Sequence, residues 1–332
     1  MNCSPNRARR LRVAALLAAL GAAAAGRAEF IFDAEVPLDP RVETAIERAQ
    51  KWLARSQRHN GSWGNCNGRN GVACMALMVN GNTPGHGPLG AKIALGIDFL
   101  MNSQHPNGYL IVGQTGNIYQ HALATLALVD AYGMTHNPSI RESAIKAVDL
   151  IVNAQNQTGG WRYQPTSQDA DLSVTVMQTM ALRAAVGTGI HVPRESVDFA
   201  VGYVRRMFSE NSGSFGYSSP DGGNFNRAGA GVVCLQSCGY TDDPRIPRAV
   251  KYMLANAKFD NSGGSMQWYG HYYCGVAMYH YGGEAWKTYY PKICQKVLDD
   301  WSKREAYGDV LDTSWALLVM GVPYRYLPIY QR

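Results

Sequence analysis

Beyond its first 28 residues the chain has no apolar run long enough to cross a membrane, so no internal anchor is expected. Charge is scarce too, with Asp, Glu, Lys and Arg making up 17% of the residues. The formal net charge of +6 includes Arg7, Arg9, Arg10, Arg12 and Arg27, all close to the N-terminus. The rest is near neutral and offers nucleic acid no basic surface. Cysteines number seven. Cys3 falls in the N-terminal segment, and Cys66, Cys74, Cys234, Cys238, Cys274 and Cys294 are too thinly spread to make a disulfide scaffold, although their even number permits pairing in an oxidising compartment.

What is present begins with the arginine-rich start, followed by an apolar run from Val13 to Ala25 and then Gly26-Arg27-Ala28. A basic start, a short apolar stretch and small residues before a cut have the form of a secretory signal. Residues 1–28 are therefore expected to be a cleavable signal peptide and the mature protein to be secreted or periplasmic. Residues 29–332 are expected to form one domain, and an apolar fraction of 46% can supply it with a sizeable core.

That remainder repeats. Pro40, Pro88, Pro138, Pro193, Pro244 and Pro291 lie 47 to 55 residues apart, and each precedes a stretch with helical apolar spacing. Proline suits the first helical position because its missing N–H has no partner there, and Asp39, Asn137 and Asp243 stand ready as N-caps. Val42, Ala45, Ile46, Ala49, Trp52 and Leu53 form one stripe, as expected of a helix on the outside of something. About 20 residues after each proline comes a glycine: Gly61, Gly108, Gly159, Gly213, Gly264 and, less regularly, Gly308. A polar loop then leads into a helix apolar nearly all round, such as His121 to Val129 or Val174 to Ala185. Six outer helices alternating with six buried ones predict an all-α fold, an α/α toroid of six hairpins of about 50 residues. An open solenoid would leave the apolar helices bare along one face.

Two turns read Gln57-x3-Gly61-Ser62-Trp63 and Gln155-x3-Gly159-Gly160-Trp161, and Gln104-x3-Gly108-Tyr109 is a partial third. Gln-x3-Gly-x-Trp resembles the repeat signature of squalene and oxidosqualene cyclases, and the repeat pattern covers essentially the whole of residues 29–332. The resemblance extends to the single barrel of protein prenyltransferases. It implies that the glutamine and indole tie outer helices to neighbouring turns and carry no chemistry. The Gly-Cys-Gly-Glu-Gln thioester motif of the related complement domains is absent.

In such a toroid the inner helices run parallel and their N-termini meet at one mouth, where free N–H groups and partial positive charge favour an anionic group. The residues entering the inner helices are polar or aromatic. Arg69, Tyr119, His121, Arg227, Tyr269, His271, Tyr272, Tyr273, Asp312 and Trp315 are the candidate ligand-binding set. Taken singly, each reads equally as a cap or a lining residue. Asp169-Ala170-Asp171-Leu172 resembles the Asp-x-Asp-Asp acid of squalene-hopene cyclases, which makes Asp169 and Asp171 the candidate catalytic pair. Leu172 replaces the last aspartate and removes a carboxylate from the network that strengthens that acid. The simpler role for Asp171 is the cap of the helix that starts at Leu172.

The zinc site of a prenyltransferase would need an Asp-x-Cys pair, and none exists. His271 with Cys274 and Cys234 with Cys238 have spacings that could share a metal on a helix, yet cysteines in apolar helices are ordinarily small core residues, so neither zinc nor another cofactor is expected. The aromatic run from Trp268 to Tyr290 could hold an isoprenoid or pack the ring's closure. Three functions stay open: an isoprenoid enzyme, a ligand-binding toroid without catalysis, and a polysaccharide lyase or hydrolase on the same architecture. The first needs a deep apolar cavity, the last an open cleft with separated carboxylates.

Overall fold

A computed structural model of the chain describes residues 39–113, 116–260, 266–302 and 304–330. The expected signal peptide and Gly264 lie outside the described residues. Among the described residues, twelve α-helices alternate between two environments. The outer set is α1 (Pro40–Arg55), α3 (Gly90–Asn102), α5 (Pro138–Asn153), α7 (Arg194–Arg206), α9 (Arg245–Asn256) and α11 (Gly283–Trp301). The inner set is α2 (Asn67–Met78), α4 (Ile118–Thr135), α6 (Leu172–Gly187), α8 (Phe225–Ser237), α10 (Gln267–Tyr281) and α12 (Val310–Gly321). Helix α1 buries a stripe that includes Val42, Ala45, Ile46, Ala49 and Leu53, whereas α2 buries every residue except Arg69. The two periodicities separate the rings as the sequence predicts.

Inner helices pack side by side in chain order, and α12 returns to α2. Small residues at the seams set their direction. Gly71 of α2 meets Leu123 and Ala124 of α4, Gly229 of α8 meets Cys274 of α10, and Gly275 of α10 meets Val319 of α12. Gly321, at the end of α12, meets Val79 at the end of α2. Starts lie beside starts and ends beside ends, so the inner helices are parallel and the ring is closed. The fold is an α/α toroid.

The turn signature fastens each hairpin to the next. Gln57 Nε2 donates to Gly61 O and to Lys92 O of α3, both at 2.9 Å. Gln104 bridges Gly108 and Ser143 in the same way, and Gln155 bridges Gly159 and Ser196. The indoles of Trp63 and Trp161 donate to Leu53 O at 2.7 Å and Ile151 O at 2.8 Å. Gly61 has φ +88°, and a Cβ there would stand 2.1 Å from Leu95 O. Glycine is thus required both by the left-handed turn and by the approach of the next outer helix.

Asp39 and Asn137 cap α1 and α5 through their side chains. Asp243 accepts from Arg245 N at 3.1 Å, one residue outside the helix that Pro244 precedes. The sixth proline departs from the pattern. Pro291 lies inside α11, exposed, because Gly282 (φ +75°) lets the chain reverse directly after α10 and start α11 at Gly283. In the fourth repeat the turn is a short antiparallel hairpin, β1 (Phe208–Ser209) with β2 (Ser214–Phe215).

One feature has no counterpart in the repeat. After α12 the chain forms two 3-10 turns, Val322–Tyr324 and Pro328–Tyr330. The second packs against the ends of α4 and α6. Leu327, Ile329 and Tyr330 are buried, and Ile329 N donates to Asp130 at 3.1 Å. This tail closes the end of the ring opposite the mouth. No described helix is long and apolar enough to cross a membrane.

Candidate active site at the inner-helix mouth

The loop between α5 and α6 leaves Trp161 and delivers Arg162, Asp169 and Asp171 to the mouth. Asp171 N donates to Trp161 O at 3.1 Å, which folds the loop back on its own start. Asp171 caps α6: one carboxylate oxygen accepts from Val174 N at 2.9 Å and from the Ser173 hydroxyl at 2.6 Å. Its other oxygen lies 3.3 Å from Arg162 Nε and has no further partner. Arg162 Nη1 reaches the exposed carboxylate of Asp169 at 3.1 Å. One guanidinium therefore joins a sealed carboxylate, 0% exposed, to one that is 71% exposed. The same guanidinium lies against the rings of Tyr163 and Tyr217, whose hydroxyls meet at 2.6 Å.

Below this rim stand Tyr119 and Tyr269. Burial raises both phenols above the ordinary tyrosine range, and the nearby charge of Asp171 adds to the effect, so both stay protonated as donors. Asp312 enters from α12. In the ring order α12 faces α6 from the far side, and Asp312 sits one turn before Trp315 on the same helix face. Trp315 packs on Tyr269, Tyr272 and Tyr273, and Asp312 lies in the first turn of α12, at the mouth end of that helix. Burial, then the charge of Asp309, raises the Asp312 carboxyl above its usual range.

The remaining candidates divide by role. His121 is buried, with Nδ1 accepting from Leu110 N at 3.1 Å and Nε2 facing Ala147 O at 3.0 Å. Asn70, Thr175 and Thr313 hold the equivalent place in other hairpins, each accepting from the backbone N–H of its preceding turn. His121 is one of these turn straps. His271 is buried between Tyr289 Oη at 2.8 Å and Lys258 O at 3.0 Å. Burial holds both imidazoles down to about 4. Tyr272, Tyr273 and Trp315 fill the barrel, each 3% exposed or less. Arg69 lies over Gly64, and Arg227 donates to Gly222 O in its own loop.

Cys274 donates to Phe225 O rather than sharing a ligand with His271. Among the described residues no three His, Cys, Asp or Glu side chains converge as a metal site, and Cys66, Cys74, Cys234, Cys238, Cys274 and Cys294 are all free thiols. Arg162, Tyr163 and Tyr217 join the site without belonging to the candidate set above. Their signal was positional: Tyr163 follows the signature Trp161 by two residues, as Tyr217 follows Phe215.

No family model and no curated protein sequence matches the chain. Solved structures do. An inactive variant of an α-1,6-mannanase of Salegentibacter sp., with two neighbouring aspartates replaced and α-1,6-mannotriose bound, aligns with a TM-score of 0.66 at 9% identity, over 84% of this chain and 98% of that one. The GH76 α-mannanase of Bacteroides thetaiotaomicron gives 0.63 at 12%, over 86% and 96%. The type II terpene cyclase MstE from Scytonema, with geranylgeranyl dihydroxybenzoate bound, gives 0.60 at 12%, over 88% and 98%. At such identities the likeness speaks for the α/α-toroid fold alone.

Proposed function

We propose that this chain is an exported glycoside hydrolase that holds an oligosaccharide across the inner-helix mouth. The observation that carries the reading is the arrangement of carboxylates there, with Asp169 exposed beside Arg162 on the α6 side and Asp312 on the α12 side. Glycoside cleavage uses one carboxyl as proton donor to the leaving oxygen and a second carboxylate to activate water or attack carbon. Asp312, whose carboxyl burial raises above its usual range, takes the acid role, and Asp169 the base or nucleophile role. Asp171 positions Arg162 from below and caps α6, without touching the sugar. The hydroxyls of Tyr163 and Tyr217 offer donors and acceptors suited to a hydroxyl-rich ligand. The mannanases among the structural neighbours support this choice of substrate class. The isoprenoid reading has less support, because Tyr272, Tyr273, Trp315 and Tyr330 occupy the interior such a chain would need. Leu172, which stands where the cyclase motif has its last aspartate, is fully buried.

The test is product analysis on a panel of oligosaccharides that includes α-1,6-mannotriose. Wild type should cleave at least one member. Asp169→Asn and Asp312→Asn should each lower the rate by about 10²–10⁴-fold, the span of a lost general acid or base. Asp171→Asn should stay within about tenfold of wild type. Failure of the wild-type protein to cleave or bind any member would remove the proposal.

A further inference from the structure

At the end of the ring opposite the mouth, a cavity of about 410 Å³ lies among the last turns of α6 and α8, with α7 as its outer wall and Ile329 of the tail at its edge. Pockets of ~300–1,000 Å³ are the size that buries small organic ligands. Leu182, Val186, Val192 and Val197 give it an apolar lining. Two polar groups on that lining are unspent. Arg183 is half-buried and makes no hydrogen bond or ion pair among the described residues, while its neighbour Arg194 is paired with Asp198. Gln236 donates through Nε2 to Ala277 O at 3.2 Å, but its Oε1 is buried with no hydrogen-bond partner. A cation without an anion and a buried acceptor without a donor, on one apolar wall, are complementary to a specific kind of molecule.

We infer that this cavity is a second ligand site, separate from the mouth, for a small amphipathic acid whose carboxylate pairs with Arg183, whose hydroxyl donates to Gln236 Oε1, and whose alkyl body lies along Leu182 and Val197. Carbonyls at the ends of α6 and α8 carry partial negative charge here, and Arg194 on the same lining is already paired with Asp198, so Arg183 is the guanidinium left for an acid. The cavity lies beyond the packed interior from Asp169 and Asp312. Binding at one end therefore stands or falls independently of hydrolysis at the other.

Calorimetry with 3-hydroxydecanoate, decanoate and decylamine, each kept below its micelle concentration, tests the assignment. Wild type should bind 3-hydroxydecanoate saturably with one site, decanoate several-fold more weakly, and decylamine not at all. Arg183→Gln should weaken 3-hydroxydecanoate by at least about tenfold, as expected for a lost charge-assisted hydrogen bond. Lys251→Gln, which removes an exposed cation elsewhere, should leave it unchanged. Circular dichroism confirms that each variant is folded. Three results would each overturn the assignment: no saturable binding to wild type, equal affinity in Arg183→Gln and wild type, or decylamine binding as tightly as the acid.

Discussion

Asp171 satisfies a helix end and a guanidinium with one side chain, and these duties separate on substitution. Asparagine caps about as well as aspartate, so Asp171→Asn should unfold within a few tenths of a kcal/mol of wild type in urea, whereas Asp171→Ala should lose about 1 kcal/mol. If the two variants were equally destabilised, the cap would not be what Asp171 contributes. Three other buried groups set the pH profile. His121 and His271 titrate near 4 in the folded state because burial disfavours their charged forms, against 6.5 for a free imidazole. Their contribution is present above pH 6.5 and is lost as pH falls toward 4. Asp130 runs the other way: burial pushes its carboxyl up to about 8 from 3.8, so its contribution is complete below pH 3.8 and is lost as pH rises to about 8. Among these three, two histidines outweigh one aspartate below pH 6.5, and only Asp130 still acts above it. Stability should therefore peak near pH 6.5, with limbs of roughly 1 kcal/mol per pH unit. Asp130→Asn should flatten the alkaline limb and leave the acid limb standing. Urea melts at pH 5, 6.5 and 8 check this, and an unchanged alkaline limb in Asp130→Asn would contradict it.

At the level of helices and turns, most of the design was legible because each repeat needs the same stereochemistry at the same place. Proline at a helix start and glycine at a left-handed turn leave marks in sequence that do not depend on distant contacts. Pro291 shows the limit. Its spacing fits the series, but α11 begins eight residues earlier because the Gly282 reversal shortens the connection from α10, a local choice that spacing does not reveal. An exposed proline in mid-helix removes one backbone hydrogen bond. Pro291→Ala should accordingly stabilise the protein by about 1–3 kcal/mol in denaturant melts. A loss of stability would mean that the ring requires the distortion. Gly61→Ala should act oppositely, because its methyl would meet Leu95 O and its φ would be left-handed. The strap role of His121 is not legible in the sequence for a related reason. A polar residue near a helix start faces the axis or the preceding turn according to rotation about the helix, and a rotation of one residue decides between them.

Across the whole molecule the closed ring followed from the buried character of the inner helices, which have nowhere else to go. The C-terminal plug did not follow, since Leu327, Ile329 and Tyr330 belong to no repeat and their partners on α4 and α6 are distant in sequence. The mouth was located from the direction of the inner helices, but its chemistry was only half visible. Asp169 and Asp171 stood out as a motif, whereas Arg162, Tyr163 and Tyr217 became neighbours through folding. The most direct measurement is a crystal structure of Asp169→Asn soaked with the oligosaccharide that wild type binds most tightly. The account predicts sugar density across the mouth, against Tyr163 and Tyr217 and between positions 169 and 312. A fully occupied sugar elsewhere on the molecule, with the mouth bare, would contradict it.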